Sequence, residues 1–182
     1  MLSQNTSKME TAQMNLKNDT SFNILSCKWT LWAHLPHNTD WSIKSYIPIY
    51  TFSNMEEVIT IMETLPSILV ENCMLFLMRF GIEPRYEDPR NRKGGYFSYK
   101  ILNKSVYKVW KELSYILTGE TIGKNINFTK CVTGITISPK KNFCIIKIWT
   151  TNRDFQDPNI VSDQIKELSP KGCLFGIHDN KI

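Results

Sequence analysis

The spacing of apolar residues changes several times along this chain, and each change marks an element. Residues 1–25 have low hydrophobicity and little period, which predicts a disordered tail ahead of one folded domain spanning 26–182. Order begins at Cys27–Trp32, where Trp29 and Leu31 alternate with Lys28, Thr30 and Trp32 as on a strand. Polar loop residues follow through Ser42, then a second β-rich run from Tyr46 to Phe52 containing Pro48. At Ser53-Asn54-Met55-Glu56 the pattern becomes a capping box, and Val58, Ile61, Met62 and Leu65 continue at helical spacing until Pro66. Cys73–Met78 is a continuously apolar strand, 82–95 a charged loop ending in two glycines, and Tyr96–Leu102 another strand. A second helix opens at Ser105, with Val106, Val109, Trp110, Leu113 and Leu117 on one face and Gly119 closing it. Cys131–Ser138 and Phe143–Thr150 form a hairpin across Pro139-Lys140-Lys141-Asn142. Asp157-Pro158 opens a predicted third helix running to about Leu168, and Cys173–Ile177 is the last strand. Two strands and a helix, repeated, predict an α+β domain: a mostly antiparallel sheet with helices on one face.

The composition fits such a domain. The chain has 182 residues, 42% hydrophobic and 21% charged, enough apolar material for a sizeable core. No apolar run approaches the roughly 20 residues of a membrane span, and the polar N-terminus lacks a secretory leader, so a cytoplasmic protein is expected. The five cysteines are scattered and form no C-x-x-C pair, which suits core thiols in a reducing compartment. The net charge of +5 tilts partners toward anions.

Catalytic chemistry is poorly represented. There is neither a G-x-S-x-G nor a phosphate-binding P-loop motif. His34-x-x-His37 lacks further ligands nearby and reads as a surface strand-to-loop pair, so no metal or cofactor is expected. The aromatics are more telling. Trp29, Trp32 and Trp110 sit in periodic apolar segments and read as core. Trp41 lies in a polar loop beside Asp40, and Tyr86 lies among Arg85, Glu87 and Asp88; each is either incidental exposure or a ligand platform. Ile146 and Ile148 share one face of their strand, so Lys147 and Trp149 share the other, expected to be solvated.

The run Gly81-Ile82-Glu83-Pro84-Arg85-Tyr86-Glu87-Asp88, continuing through Asn91 to Gly94-Gly95, closely resembles the G-I-E-P-x-W-E-D signature of the eukaryotic translation initiation factor 4E family, the messenger-RNA cap-binding proteins. Trp29-Thr30-Leu31-Trp32, Trp110-Lys111-Glu112, Leu117-Thr118-Gly119-Glu120 and Ile148-Trp149-Thr150-Thr151 resemble further family segments in the same order. The resemblance implies a curved antiparallel sheet backed by three helices on its convex face, with a concave slot for 7-methylguanosine. It implies a monomeric, non-enzymatic binder of capped mRNA acting in translation initiation. Trp41 and Tyr86 would sandwich the cationic base, Glu87 would accept its N–H donors, and Trp149 would pack near the methyl group. Lys140 and Lys147 would meet the phosphates, with Lys141 a further candidate. Met55, Ile59, Trp110, Glu112 and Gly119 would mark the helical face that takes a partner peptide, from the scaffold factor 4G or a repressor.

The departures are specific. Tyr86 stands where most relatives have tryptophan, Tyr96 aligns with an arginine, and Ile145 with a lysine for which Lys147 compensates. Ile59 stands where a tryptophan anchors the partner peptide, and Asn23-Ile24-Leu25 replaces an H-P-L segment. Those last two changes motivate an alternative expectation, a cap-binding repressor or decoy that does not recruit the scaffold; an enzyme acting on capped nucleotides ranks below both.

Overall fold

Residues 21–178 are described here, from a computed structural model. The expected tail lies outside them as far as residue 20. Its last residues do not conform, because strand β1 (Ile24–His34) already includes Ile24 and Leu25. The other strands are β2 (Tyr46–Asn54), β3 (Met74–Arg79), β4 (Gly95–Leu102), β5 (Val132–Pro139), β6 (Phe143–Thr150) and β7 (Leu174–Ile177). They form one curved sheet in the order β2-β1-β3-β5-β6-β4-β7, with every neighbour antiparallel. Antiparallel pairing throughout lets one face pack on helices while the other carries a site.

The helices are α1 (Met55–Thr64), α2 (Ser67–Asn72), α3 (Asn103–Thr118) and α4 (Ile126–Cys131). Helix α1 starts one residue later than the capping box predicted. Asn54 is the cap, accepting from the Glu57 amide at 2.9 Å, and Glu57 reaches back to the Ser53 amide at 2.6 Å. Glu56 instead ties down the start of β1 by accepting from the Asn23 side chain at 2.6 Å. Helix α3 buries Val106, Val109, Trp110, Leu113 and Leu117 as its period requires. They meet Trp29, Leu31, Leu77, Phe97, Ile135, Ile146 and Ile148 from one face of the sheet in the main core.

The expected third helix is absent. Asp157 does cap, accepting from the Asn159 amide at 2.9 Å, but only a 3-10 turn over Pro158–Ile160 follows. The segment satisfies its backbone against another loop: Lys124 N–H donates to Ile160 and Ser162 N–H donates to Ile122. Ile165 and Leu168 still reach the core without a helix. Among the described residues no helix is long and apolar enough to cross a membrane.

Candidate functional site

The second face of the sheet carries a smaller aromatic cluster. Tyr46, Phe76, Met78, Ile82 and Trp149 are its buried members, with Trp32 and Tyr96 packed beside them. Trp149 is only 7% exposed, which corrects the expectation of a solvated face. Its indole N–H donates to Thr136 Oγ1 across the β5–β6 pair at 3.4 Å. It forms a floor rather than a projecting ring.

One rim is the β1–β2 loop, which carries Trp41. This ring stacks on His34 with centroids 4.3 Å apart and planes 4° from parallel. His34 is 2% exposed, so it is no surface residue. Its Nε2 bonds the Asp40 carbonyl oxygen at 2.8 Å, and the Asp40 carboxylate accepts from the Ser42 amide at 2.7 Å and hydroxyl at 2.9 Å. Those two bonds hold the Asp40 carboxyl below the usual carboxylate range. Trp41 itself stays 54% exposed, supported from beneath and open to solvent.

The other rim is the β3–β4 loop, which carries Tyr86 and Glu87. Two buried polar side chains fix it. Asp88 accepts from the Glu83 amide at 2.9 Å and the Arg90 amide at 2.8 Å. Asn91, wholly buried, donates to the carbonyls of Glu83 at 3.1 Å and Arg85 at 2.8 Å. Tyr86 and Glu87 are left exposed above this frame. Tyr46 connects the rims. It packs edge-on against His34 at 5.2 Å, and its hydroxyl pKa is pushed up to about 12 by burial and by the Glu87 charge.

Cations sit at one end. Lys147 Nζ lies 3.9 Å from the Tyr96 ring centroid, and burial followed by the Lys140 charge lowers its pKa. Lys140 and Lys141 are exposed at the β5–β6 turn. His178 completes this end, 4.5 Å from Trp149 and 5.4 Å from Tyr96 between ring centroids. It is 6% exposed, and burial, then the Lys147 charge, pushes its pKa down to about 4. Tyr96 passes under Gly176, where an added Cβ would fall 2.6 Å from the ring.

Sequence reasoning missed His34 and His178. His34 was findable, because it continues the face of Lys28, Thr30 and Trp32 by strict alternation. His178 had no local signal; its partners come from β4 and β6. On the helical side, Met55 and Gly119 line a groove of about 390 Å³ with Asn23–Ser26 and Glu120. Ile59 is 45% exposed, and Glu112 pairs with Lys108 at 3.7 Å. Trp110 is 0% exposed: it belongs to the core and offers no surface to a partner.

A family model described as eukaryotic initiation factor 4E matches residues 24–177. The chain belongs to the initiation factor 4E family. An initiation factor 4E homolog of Acanthamoeba polyphaga mimivirus is 45% identical over 62 residues, 34% of this chain and 23% of that protein. The factor of Candida albicans is 29% identical over 154 residues, covering 79% of this chain and 72% of its own. The second factor 4E of Schizosaccharomyces pombe is 30% identical, covering 73% of this chain and 56% of its own. Among solved structures, Ascaris suum eIF4E-3 with an m7G cap superposes with a TM-score of 0.67 at 16% identity, over 88% of this chain and 94% of that one. Schistosome eIF4E complexed with m7GpppG and 4E-BP gives 0.66 at 19% identity, over 74% and 75%. At those identities the superpositions establish the fold.

Proposed function

We propose that this chain binds the 7-methylguanosine cap of messenger RNA and acts in translation initiation. The observation that carries the reading is the pair of braced rims: Trp41 stacked on buried His34, and Tyr86-Glu87 on a loop fixed by Asp88 and Asn91. A cationic methylated base between two aromatic faces gains stacking worth roughly 1–3 kcal/mol and cation–π attraction of about 0.5–2 kcal/mol. Glu87 accepts from the two N–H donors of guanine, which adenine lacks. Trp149 limits the depth of the slot, and Lys140 and Lys147, with Lys141 at the rim of the turn, take the phosphates. The site binds; no chemical step is assigned to it. The two superposed relatives are complexes with an m7G cap and with m7GpppG, which supports the same class of ligand here.

The groove around Met55 and Gly119, with Ile59 beside it, suits a short apolar peptide from a partner. The missing anchor tryptophan at Ile59 costs contact area, and a hot-spot tryptophan can contribute about 2 kcal/mol or more. The cap reading is tested by retention on immobilised 7-methyl-GTP. Elution by free 7-methyl-GTP but not GTP is expected, and Glu87→Ala should pass through unretained. Retention of that variant at wild-type strength would contradict the assignment.

A further inference from the structure

Behind the Tyr86 rim lies a second cavity, of about 430 Å³, at the end of the sheet where β1 begins and β3 ends. Lys28, Arg79, Arg90 and Lys130 line it, and no carboxylate does. Two of the four cations are already engaged. Arg79 pairs with Glu120 at 2.6 Å and donates to the Val132 carbonyl at 2.7 Å. Arg90 meets Asp88 at 3.4 Å and donates to the Gly81 carbonyl. Lys28 and Lys130 are exposed and have no ion-pair partner among the described residues.

Two further features point to a ligand. Thr133, also lining the cavity, is 4% exposed, and its hydroxyl has no hydrogen-bond partner among the described residues. It sits where the β5–β6 register shifts between Val132 and Gly134, a bulge that takes the residue out of the ladder. Buried hydroxyls are ordinarily satisfied, so this one is suited to an incoming polar group. The aromatic ring of Phe80, 61% exposed, stands at the same cavity, held by its amide on the Lys28 carbonyl at 2.8 Å.

We infer that this cavity is a second nucleic-acid site, one that takes a phosphate and an adjoining base of single-stranded RNA. Unpaired cations and a hydroxyl receive the phosphate, and an exposed ring stacks the base, the two components of sequence-tolerant single-strand binding. Its position fits RNA continuing from a cap. Ile82 belongs both to the cluster beneath the slot and to this cavity, and Arg90 leaves the loop that presents Tyr86 and Glu87. The cap reading supplies the identity of that RNA. The test therefore uses uncapped RNA, so that the two readings fail separately.

The experiment is fluorescence anisotropy of the full chain with an uncapped, end-labelled oligouridylate of about ten nucleotides, within the usual range of single-strand sites. It is run between about 50 and 200 mM salt. Wild type should bind, more weakly as salt rises. Lys28→Ala with Lys130→Ala should weaken binding about tenfold and reduce the log–log salt slope by about 0.7, the loss of one phosphate contact. Phe80→Ala should weaken binding with the slope unchanged. The lysine double variant should still bind 7-methyl-GTP as wild type does; if wild type itself ignores 7-methyl-GTP but binds the oligouridylate, the cap reading falls and this one stands. Absent oligouridylate binding, an unchanged salt slope in the double variant, or a larger loss from Lys140→Ala with Lys147→Ala would overturn the inference. So would capture of an acidic peptide such as hexaglutamate in place of RNA, which would assign the cavity to a protein partner.

Discussion

At the scale of single residues, two histidines decide how the slot is built. His34 lies flat against Trp41 and holds the loop through the Asp40 carbonyl. An aromatic pair of this kind contributes about 0.5–1.5 kcal/mol beyond burial. His34→Ala should therefore weaken 7-methyl-GTP binding by roughly three- to tenfold, read by calorimetric titration; unchanged affinity would show that Trp41 needs no support. Tyr86→Trp should tighten the same binding, because the indole face attracts a cation more strongly, and weaker binding would count against Tyr86 as a stacking partner. His178 acts on stability. In the fold its pKa is about 4, while in the unfolded chain it returns to about 6.5. Between those values the unfolded state binds more protons. Stability therefore falls as pH drops through that window, by at most about 1.4 kcal/mol per pH unit. His178→Gln should flatten this dependence in urea unfolding at about pH 4.5 and 7; an unaltered slope would assign the acid sensitivity to other groups. Alternation along β1 gives the face of His34 but not its stacking on Trp41, and nothing near His178 in sequence signals its packing against Trp149, because both contacts depend on how strands and loops meet.

At the scale of elements, period and chemistry diverge in an instructive way. Alternation marked β1 and β6, whose Trp29, Leu31, Ile146 and Ile148 face the helices, and the 3.6-residue period marked α3, which buries one face against the sheet. The capping box located α1 to within one residue, since Asn54 competes successfully with Ser53 for the cap. Helices α2 and α4 are six residues each, too short for a periodic signal. The segment after Asp157 misled for a different reason: its cap is real, but the Ile122–Lys124 loop supplies its backbone partners. The β3–β4 loop is an element in its own right, rigid through polar burial. Asn91→Ala removes two buried bonds to carbonyls and should cost about 1–3 kcal/mol. It should also speed amide exchange across residues 83–92. Protection equal to wild type there would mean that Asp88 alone fixes the rim.

At the scale of the whole molecule, one curved sheet divides the work between its faces. The helical face holds the main core, and the opposite face spends its aromatic residues on a floor, two rims and a cationic end. That division explains what the sequence could signal: Trp41 and Tyr86 stand out as rings among polar neighbours, Glu87 is singled out only by the family resemblance, and Trp110, which its period marked as core and the resemblance as a partner contact, is core. The basic cavity behind the Tyr86 rim extends the same logic from the cap to the chain that follows it. The central claim is that this slot selects a positively charged guanine. Tryptophan fluorescence titration with 7-methyl-GTP beside GTP tests it most directly, since Trp41 and Trp149 report from rim and floor. The account predicts quenching with at least about a tenfold preference for the methylated nucleotide, some 1.4 kcal/mol. Equal, weak binding of both would contradict it and leave a family fold without its family ligand.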